Sequence, residues 1–489
     1  MRTAIIFNDS GNSITRRTMG AYKIAGMMRD RGWHVEVVDW ATKWSNEQIL
    51  KYLERFPSID LFAFGNLWME DTFVIDKIKL LKQHFPSSKF LLGSPKPYQQ
   101  DFGADVMIFG YAEHALDPAL NWLFDNGPTP KGKIPLWAPN SYFIDANYYY
   151  RALEIPNYSV DYTETDYVLP SDVLTLEMTR GCRFRCKYCS YAFLGVKEDY
   201  SRSEESIYNE IMINYTKWGT TNYIIADDTF NDRDTKIERL ANVVKRLPFQ
   251  PNFSAFIRLD LVISRPQQLQ SLIDARVWGH FYGIETLHPD AAKAIGKGMD
   301  PERIKAGLLH VKETFMRQLG LYRGTCGMIA GLPFEPVDSW HKNLEWMSKN
   351  WDSFFYWGLH ISTDPDVKTH SDFSLDAAKY GYKPTQDKQI LAWAEEKGLL
   401  DIKSTVTHKL DKHMMIWEAE WANFKQATEF SDHYNKNYFR NVKVPNFELL
   451  NYWGREDILD LTAGQIYIDG IAKEIDKAAI KAYIEKKLL

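Results

Sequence analysis

Cysteine is scarce in this 489-residue chain: there are four, and none comes before Cys182. A secreted disulfide framework would spread more of them along the sequence, so that class is excluded. Basic charge is not in excess either. Lys and Arg number 59 against 64 Asp and Glu, for a net charge of −5, and a general nucleic-acid coat protein would need the opposite sign. A local basic groove stays open. No run of about 18 apolar residues occurs, so no membrane span is expected. Met1-Arg2-Thr3 leads into a short apolar stretch ending at Asn8-Asp9-Ser10, without a signal-peptide pattern, and a cytoplasmic protein is expected. There is no internal repeat and no low-complexity block. What remains is a globular composition, 45% hydrophobic and 25% charged, with length for about three domains.

Over residues 1–125 short apolar runs alternate with stretches of helical spacing. Strands are predicted at Thr3–Asn8, His34–Asp39, Asp60–Gly65, Lys89–Gly93 and Asp105–Gly110, and helices at Arg17–Arg31, Asn46–Phe56, Asp71–His84 and Ala112–Asp125. This series implies a doubly wound, Rossmann-like parallel sheet. Its ligand loops would lie at the carboxyl ends of the strands, at Asn8–Thr15, Asn66–Thr72, Ser94–Tyr98 and Tyr111–His114. Residues 126–170 hold six prolines among Tyr142, Phe143 and Tyr148-Tyr149-Tyr150, and read as a linker packed over its neighbours. A second alternating series fills residues 171–370, with six strand candidates ending at Met178, Asp227, Arg258, Glu285, Ala330 and Ser362. It predicts a partial, open (β/α)6 barrel.

After about residue 370 the alternation stops. Gln386–Glu396, His408–Phe430 and Glu474–Lys487 predict a mainly helical domain over 371–489. Trp417, Trp421 and Phe424 recur there at helical spacing and read as core. The lysines of Ala472–Leu489 read as a solvated helix face. Trp351 and Phe354-Phe355-Tyr356-Trp357, beside the sixth strand, are expected to be buried between barrel and tail, with lining of the substrate path as the alternative.

The chemistry is concentrated in Thr179-Arg180-Gly181-Cys182-Arg183-Phe184-Arg185-Cys186-Lys187-Tyr188-Cys189-Ser190. This C-x3-C-x2-C directly follows a predicted strand and so occupies the loop at its carboxyl end. Three thiolates on a tight loop can ligate three irons of a 4Fe–4S cluster, leaving the fourth open to a small molecule. Arg180, Arg183, Arg185 and Lys187 would favour thiolates and offset the cluster's negative charge. Zinc, with Cys326 or a His as fourth ligand, and chance clustering of the cysteines are the alternatives. Structural zinc prefers paired knuckles, and no second pair exists here. Cys326 is out of phase with Gly327, Ile329 and Gly331, so it is expected to face the helices as a buried structural residue.

These residues resemble the radical SAM superfamily over about residues 172–365. The resemblance implies Cys182, Cys186 and Cys189 as ligands of a 4Fe–4S cluster, with S-adenosylmethionine (SAM) on the open iron. It also implies cofactor-binding roles along one barrel face. Tyr188 would pack on the adenine, Asp227 and Asp228 would meet the methionine amino group, and Arg258 its carboxylate. Glu285 would contact ribose or methionine. Ile329 and Gly331 would lie on the adenine-contact strand Gly327-x-Ile329-x-Gly331, with Glu335 beyond. Plainer readings stand beside each: Asp227 and Asp228 as helix caps, Arg258 paired with Asp260, Glu285 as an ordinary strand end, and the glycines as barrel packing. The implied activity is reductive cleavage of SAM to methionine and a 5′-deoxyadenosyl radical, fed by an external donor such as a flavodoxin or ferredoxin.

A Rossmann-like sheet ahead of such a barrel resembles the cobalamin-binding group of that superfamily, with Ser94-Pro95-Lys96 and Tyr111-Ala112-Glu113 at that group's loop positions. This implies a cobalamin-dependent C-methyltransferase that passes a methyl group from a corrinoid to a substrate radical. The chain departs from the pattern in having no Asp-x-His-x-x-Gly after the first strand. Residues 8–20 contain no histidine at all, so that loop offers no lower axial imidazole. The alternatives are a cobalamin-independent radical SAM enzyme performing hydrogen abstraction, rearrangement or oxidation, and a non-enzymatic iron–sulfur or zinc module. A methylthiotransferase would carry a second cysteine triad before the barrel, where this chain has none. Peptide, nucleotide, lipid and small natural product all remain open as substrate.

Overall fold

The computed structural model describes residues 1–9, 17–65, 69–94, 100–149, 160–189, 201–351, 353–363, 371–399, 414–437, 465 and 471–489. The chain divides into two units. One comprises residues 1–172, 405–407 and 474–489, and the other residues 173–404 and 408–473.

In the first unit β1 (Thr3–Phe7), β2 (His34–Val38), β3 (Leu61–Gly65), β4 (Lys89–Ser94) and β5 (Val106–Phe109) are the five strands expected. Each is a short, mainly apolar run, as a sheet covered on both faces requires. The helices α1 (Met19–Arg29), α2 (Asn46–Leu53), α3 (Asp71–His84) and α4 (Glu113–Phe124) alternate with them. A sixth strand, β6 (Tyr142–Asp145), arises inside the segment read as a linker. Its Tyr-Phe-Ile run pairs in parallel with β5, Ile108 opposite Ile144, and the prolines stand outside it. The strand order is β2-β1-β3-β4-β5-β6, and every pair is parallel. The order reverses between β1 and β3, the kind of switch point beyond which doubly wound sheets bind ligands. Of the loops expected there, residues 10–15, 66–68 and 95–98 lie outside the described residues. Asn8 and Asp9, at the end of β1, are buried. Asn8 Nδ2 donates to Asp39 Oδ1, and Asp9 Oδ2 accepts from Thr42 N (3.0 Å) and Oγ1 (2.6 Å).

From Glu474 onward the last helix (Ile471–Leu488) belongs to this unit. Ile480, Tyr483 and Ile484 enter the core beside Trp40, Trp44 and Tyr52. The lysine-rich face is not solvated throughout: Lys477, Lys481 and Lys486 are exposed, but Lys487 is buried. Its Nζ donates to Glu36 Oε2 of β2 at 2.8 Å, so the buried ammonium has a counter-charge.

In the second unit six strands lie side by side in chain order. They are β7 (Val173–Leu176), β8 (Asn222–Ile225), β9 (Asn252–Ile257), β10 (Val277–Glu285), β11 (Arg323–Ala330) and β12 (Phe354–Gly358). All neighbours are parallel. Between them run α5 (Glu204–Trp218), α6 (Asp234–Arg246), α7 (Leu259–Ser264), α8 (Gln267–Asp274), α9 (Pro289–Ala294), α10 (Pro301–Leu319) and α11 (Val337–Asn350). Among the described residues β7 and β12 do not pair, which leaves the barrel open. Side chains alternate between the two faces. Tyr282, Cys326, Met328, Phe354 and Tyr356 are buried on the helix side, while Val173, Ile224, Phe256 and Phe281 cluster on the inner side.

Beyond residue 370 lie α12 (Asp372–Leu375), α13 (Lys388–Glu396) and α14 (Phe424–Asn437). The helix expected from His408 begins only at Phe424. Residues 408–413 lie outside the described residues, and Trp417-Glu418 pairs antiparallel with Lys383-Pro384. Trp417 and Phe424 are core residues as expected, without sharing a helix. No helix among the described residues is long and apolar enough to cross a membrane.

Candidate functional site

The cysteine loop leaves β7 and is pinned at its start by Asp227, which follows β8. Asp227 Oδ1 accepts from the backbone N–H groups of Met178 (2.9 Å) and Thr179 (3.0 Å), and Oδ2 accepts from Thr179 Oγ1 (2.6 Å). Lys236 Nζ lies 3.1 Å from Oδ2. Burial opposes the Lys236 charge, but Asp227 and Asp232 outweigh it and hold its pKa up. A carboxylate has about four lone-pair sites, and those of buried Asp227 are all committed to the loop and Lys236. It therefore anchors the loop. Neither Asp227 nor Asp228 caps a helix, since the next turn is entered at Thr229 and α6 at Arg233. Asp228 is half-buried.

Cys182, Cys186 and Cys189 are partly exposed thiols outside any disulfide. Gly181 takes φ +76° at the start of their turn, which a side chain would resist. The Cys189 N–H donates to Cys186 O at 3.0 Å, and the Lys187 N–H to Ile295 O at 3.2 Å. Thr229 Oγ1 stands 3.4 Å from Cys182 Sγ, and Arg258 Nη1 donates to Cys186 Sγ at 3.5 Å. Arg258 is fixed on three sides. Its Nε and Nη2 fork onto Asp260 at 3.0 and 2.6 Å, and its guanidinium lies 3.9 Å above the Phe184 ring centre. Burial disfavours its charge, yet Asp260 more than offsets this and raises the pKa. The surface pair with Asp260 thus exists and aims a third nitrogen at a cysteine sulfur. The loop's own cations contribute less than expected. Arg180 is buried on Glu177, at 2.7 and 3.1 Å, and Lys187 is bound to Asp372 at 2.6 Å.

This donor set fits iron–sulfur ligation: three soft, accessible thiols, with N–H and O–H groups beside two of the sulfurs. Among the described residues no three His, Cys, Asp or Glu converge as around a single ion. A cubane requires no such convergence, because each thiolate takes a different iron. Cys326 is fully buried on the helix side of β11, and burial pushes its thiol pKa well up.

Glu285 closes β10. The register against β11 slips between Gly283 and Glu285, and Glu285 takes φ +69°, a left-handed backbone costing a non-glycine residue about 1 kcal/mol. The kink turns its carboxylate over Gly283, where a Cβ would lie 2.5 Å from Glu285 Oε1 and 3.1 Å from Lys297 Nζ. Oε1 accepts from Tyr188 OH at 2.6 Å and from Lys297 at 3.1 Å, and Lys297 also donates to Gly283 O at 2.5 Å. Burial and the neighbouring Glu285 push the Tyr188 pKa well up, so this hydroxyl stays a donor. Tyr188 thereby ties the cysteine loop to the end of β10.

Ile329 is partly exposed on the inner face of β11, opposite Trp357. Gly331 lies apart from that face. At φ +100° its Cβ would come 2.7 Å from the Trp417 ring and 3.3 Å from Ala427, so it packs against the segment after residue 370. Glu335 is buried, and its Oε1 accepts from Thr286 Oγ1 (2.8 Å), Asn343 Nδ2 (2.9 Å) and Ser339 Oγ (3.2 Å). Burial still raises its pKa to about 8. Through Thr286 it holds the residue next to Glu285. Lys297, Phe184 and Thr229 complete the site and were not singled out from sequence, whereas Asp260 was named there as a partner for Arg258. Lys297 sits in Gly296-Lys297-Gly298, which carries no chemical signature, and Thr229 was hidden behind its two aspartate neighbours.

Residues 176–347 match the family model of the radical SAM superfamily. An uncharacterized methyltransferase of Pyrococcus horikoshii is 22% identical over 200 residues, 40% of this chain and 41% of that protein, so the match spans about two fifths of that relative's length. The cobalamin-dependent S-adenosylmethionine radical enzyme OxsB, with aqua-cobalamin bound, gives a TM-score of 0.63 at 14% identity, over 100% of this chain and 80% of that one. The radical S-adenosylmethionine methyltransferase TsrM from Kitasatospora setae, with cobalamin and a [4Fe-4S] cluster bound, gives 0.60 at 13% identity, over 79% and 81%. At these identities the structural likeness is one of fold, a Rossmann-like parallel sheet followed by a partial barrel. The matched family segment contains the whole cysteine loop, Arg258 and Glu285, so residues 176–347 are a radical SAM domain, of a family that works with a 4Fe–4S cluster and SAM.

Proposed function

We propose that the enzyme is a cobalamin-dependent C-methyltransferase. The observation that carries this reading is the parallel six-stranded sheet preceding the barrel, with its β1/β3 switch point. Support comes from the shared fold of OxsB and TsrM, whose structures hold cobalamin, and from the methyltransferase names of TsrM and the Pyrococcus protein.

Cys182, Cys186 and Cys189 would hold the cluster and leave one iron for the amino and carboxylate groups of SAM. Once bound, the cluster supplies the electron that cleaves SAM, and the corrinoid supplies the methyl group. The protein's residues bind and orient. Tyr188 and Glu285, braced by Lys297, form the wall for the adenosine part of SAM, and Ile329 offers an apolar contact to its adenine. Asp228 is the carboxylate assigned to the amino group, in place of Asp227. Arg258 donates to the Cys186 sulfur. A radical SAM enzyme needs a reductant, and we assign that role to a flavodoxin or ferredoxin.

Anaerobic reconstitution tests the reading. About four irons per chain are expected, with iron–sulfur absorption and SAM cleavage on reduction. Hydroxocobalamin should stay with the protein through gel filtration and give corrinoid absorption. SAM cleavage without corrinoid retention would remove the methyltransferase and leave a cobalamin-independent radical SAM enzyme. Zinc in place of iron would remove both.

A further inference from the structure

Strand β12 shows two different faces. Phe354 and Tyr356 pack on α14, where Phe354 stacks on Tyr434 at 4.8 Å and Tyr356 meets Phe430 edge-on at 5.0 Å. Phe355 and Trp357 point the other way, into the barrel. Phe355 lies 5.8 Å from Phe281 of β10, which lies 5.2 Å from Phe256 of β9. Trp357 makes an edge contact with Phe355 at 4.3 Å. Its indole rests on the bare backbone of Gly327, where a Cβ would come within 2.8 Å. An aromatic wall therefore crosses the inner face from β9 to β12. Trp357, its rim, is 47% exposed, the most exposed tryptophan among the described residues.

Charge is divided across the same face. Arg258 follows β9, and Glu285 ends β10 with Lys297 against it. At the matching height β11 and β12 present Ile329, Phe355 and Trp357. The inner positions of these two strands carry one charge, Arg323, at the far end of β11. A charged or sugar-like group laid on this wall would lose hydration and find no charged partner there among the described residues. A flat apolar ring would gain both burial and stacking.

Resting on the reading that the barrel mouth is the catalytic site, we propose that this wall binds the substrate through a flat, uncharged aromatic ring, with Trp357 as its principal contact. The test is ligand-observed saturation-transfer NMR on the full chain, with indole, glucose, uridine 5′-monophosphate and adenosine as probes. Indole is expected to bind in the millimolar range and the other three not to compete with it. Trp357→Ala should weaken indole about tenfold, while Trp357→Phe, which keeps a ring, should retain most of the binding. Indole binding unchanged in both Trp357→Ala and the Phe355→Ala/Trp357→Ala pair would overturn the proposal. So would displacement by adenosine, which would give the wall to SAM itself, or preferential binding of either polar probe. SAM cleavage by the wild-type enzyme decides the catalytic reading separately. A chain that binds indole at Trp357 but cleaves no SAM would refute that reading and leave the wall standing.

Discussion

At Arg258 the guanidinium is clamped by Asp260 and Phe184 with one nitrogen left on the Cys186 sulfur. A donor to a cluster sulfur stabilises the reduced, more negative state. Arg258→Met keeps the stem and removes the donors. It should lower the cluster's midpoint potential by on the order of 50 mV, read by redox titration with electron paramagnetic resonance. An unmoved potential would return Arg258 to the role of a SAM ligand. Glu335 offers a second test at this scale. Its folded-state pKa of about 8 lies above the ordinary value of 4.5, so the folded chain holds the proton more tightly than the unfolded one. The stability this contributes is whole below the ordinary value and lost as pH rises towards 8. His280, lowered by burial from 6.5 to about 4, acts in the opposite sense and is spent above 6.5. Between pH of about 6.5 and 8 the enzyme should therefore lose about 1–2 kcal/mol, and Glu335→Gln should flatten that slope in urea denaturation. Neither arrangement was legible in sequence, which shows Arg258 near Asp260 but not the sulfur, and Glu335 without the burial that changes its titration.

Among the elements, the strands were the easiest to read because each is a short apolar run closed by a helix. β6 was hidden by six nearby prolines, although none interrupts Tyr142–Asp145. Trp417, Trp421 and Phe424 mimic a helical stripe because a short strand, a turn and a helix start happen to repeat the spacing. Glycines at and just beyond the strand ends carry the clearest division of labour. Gly283 makes room for the Glu285 carboxylate, and Gly331 for the Trp417 ring. Gly331→Ala should cost about 2–4 kcal/mol, from overpacking and a positive φ, seen as a lowered Tm. Gly283→Ala should leave the fold and weaken SAM binding by about tenfold, measured by equilibrium dialysis. A Gly283→Ala protein with normal SAM affinity would separate Glu285 from the cofactor.

For the whole molecule, the plan of a doubly wound sheet followed by an open barrel was readable from the two alternating series and the cysteine spacing. The membership of the last helix was not, since its tie to β2 joins Lys487 to Glu36 across 451 residues. Lys487→Met strands a buried carboxylate and should destabilise the first unit by about 3 kcal/mol. Adding Glu36→Leu should recover much of that loss, with both variants compared by chemical denaturation.

Domains usually fold in the order in which they are made. Here the ribosome has finished every barrel strand by Gly358 while the opening sheet still waits for Tyr483 and Lys487. The sheet translated ahead of the barrel is thus completed after it, once the last helix has covered β2.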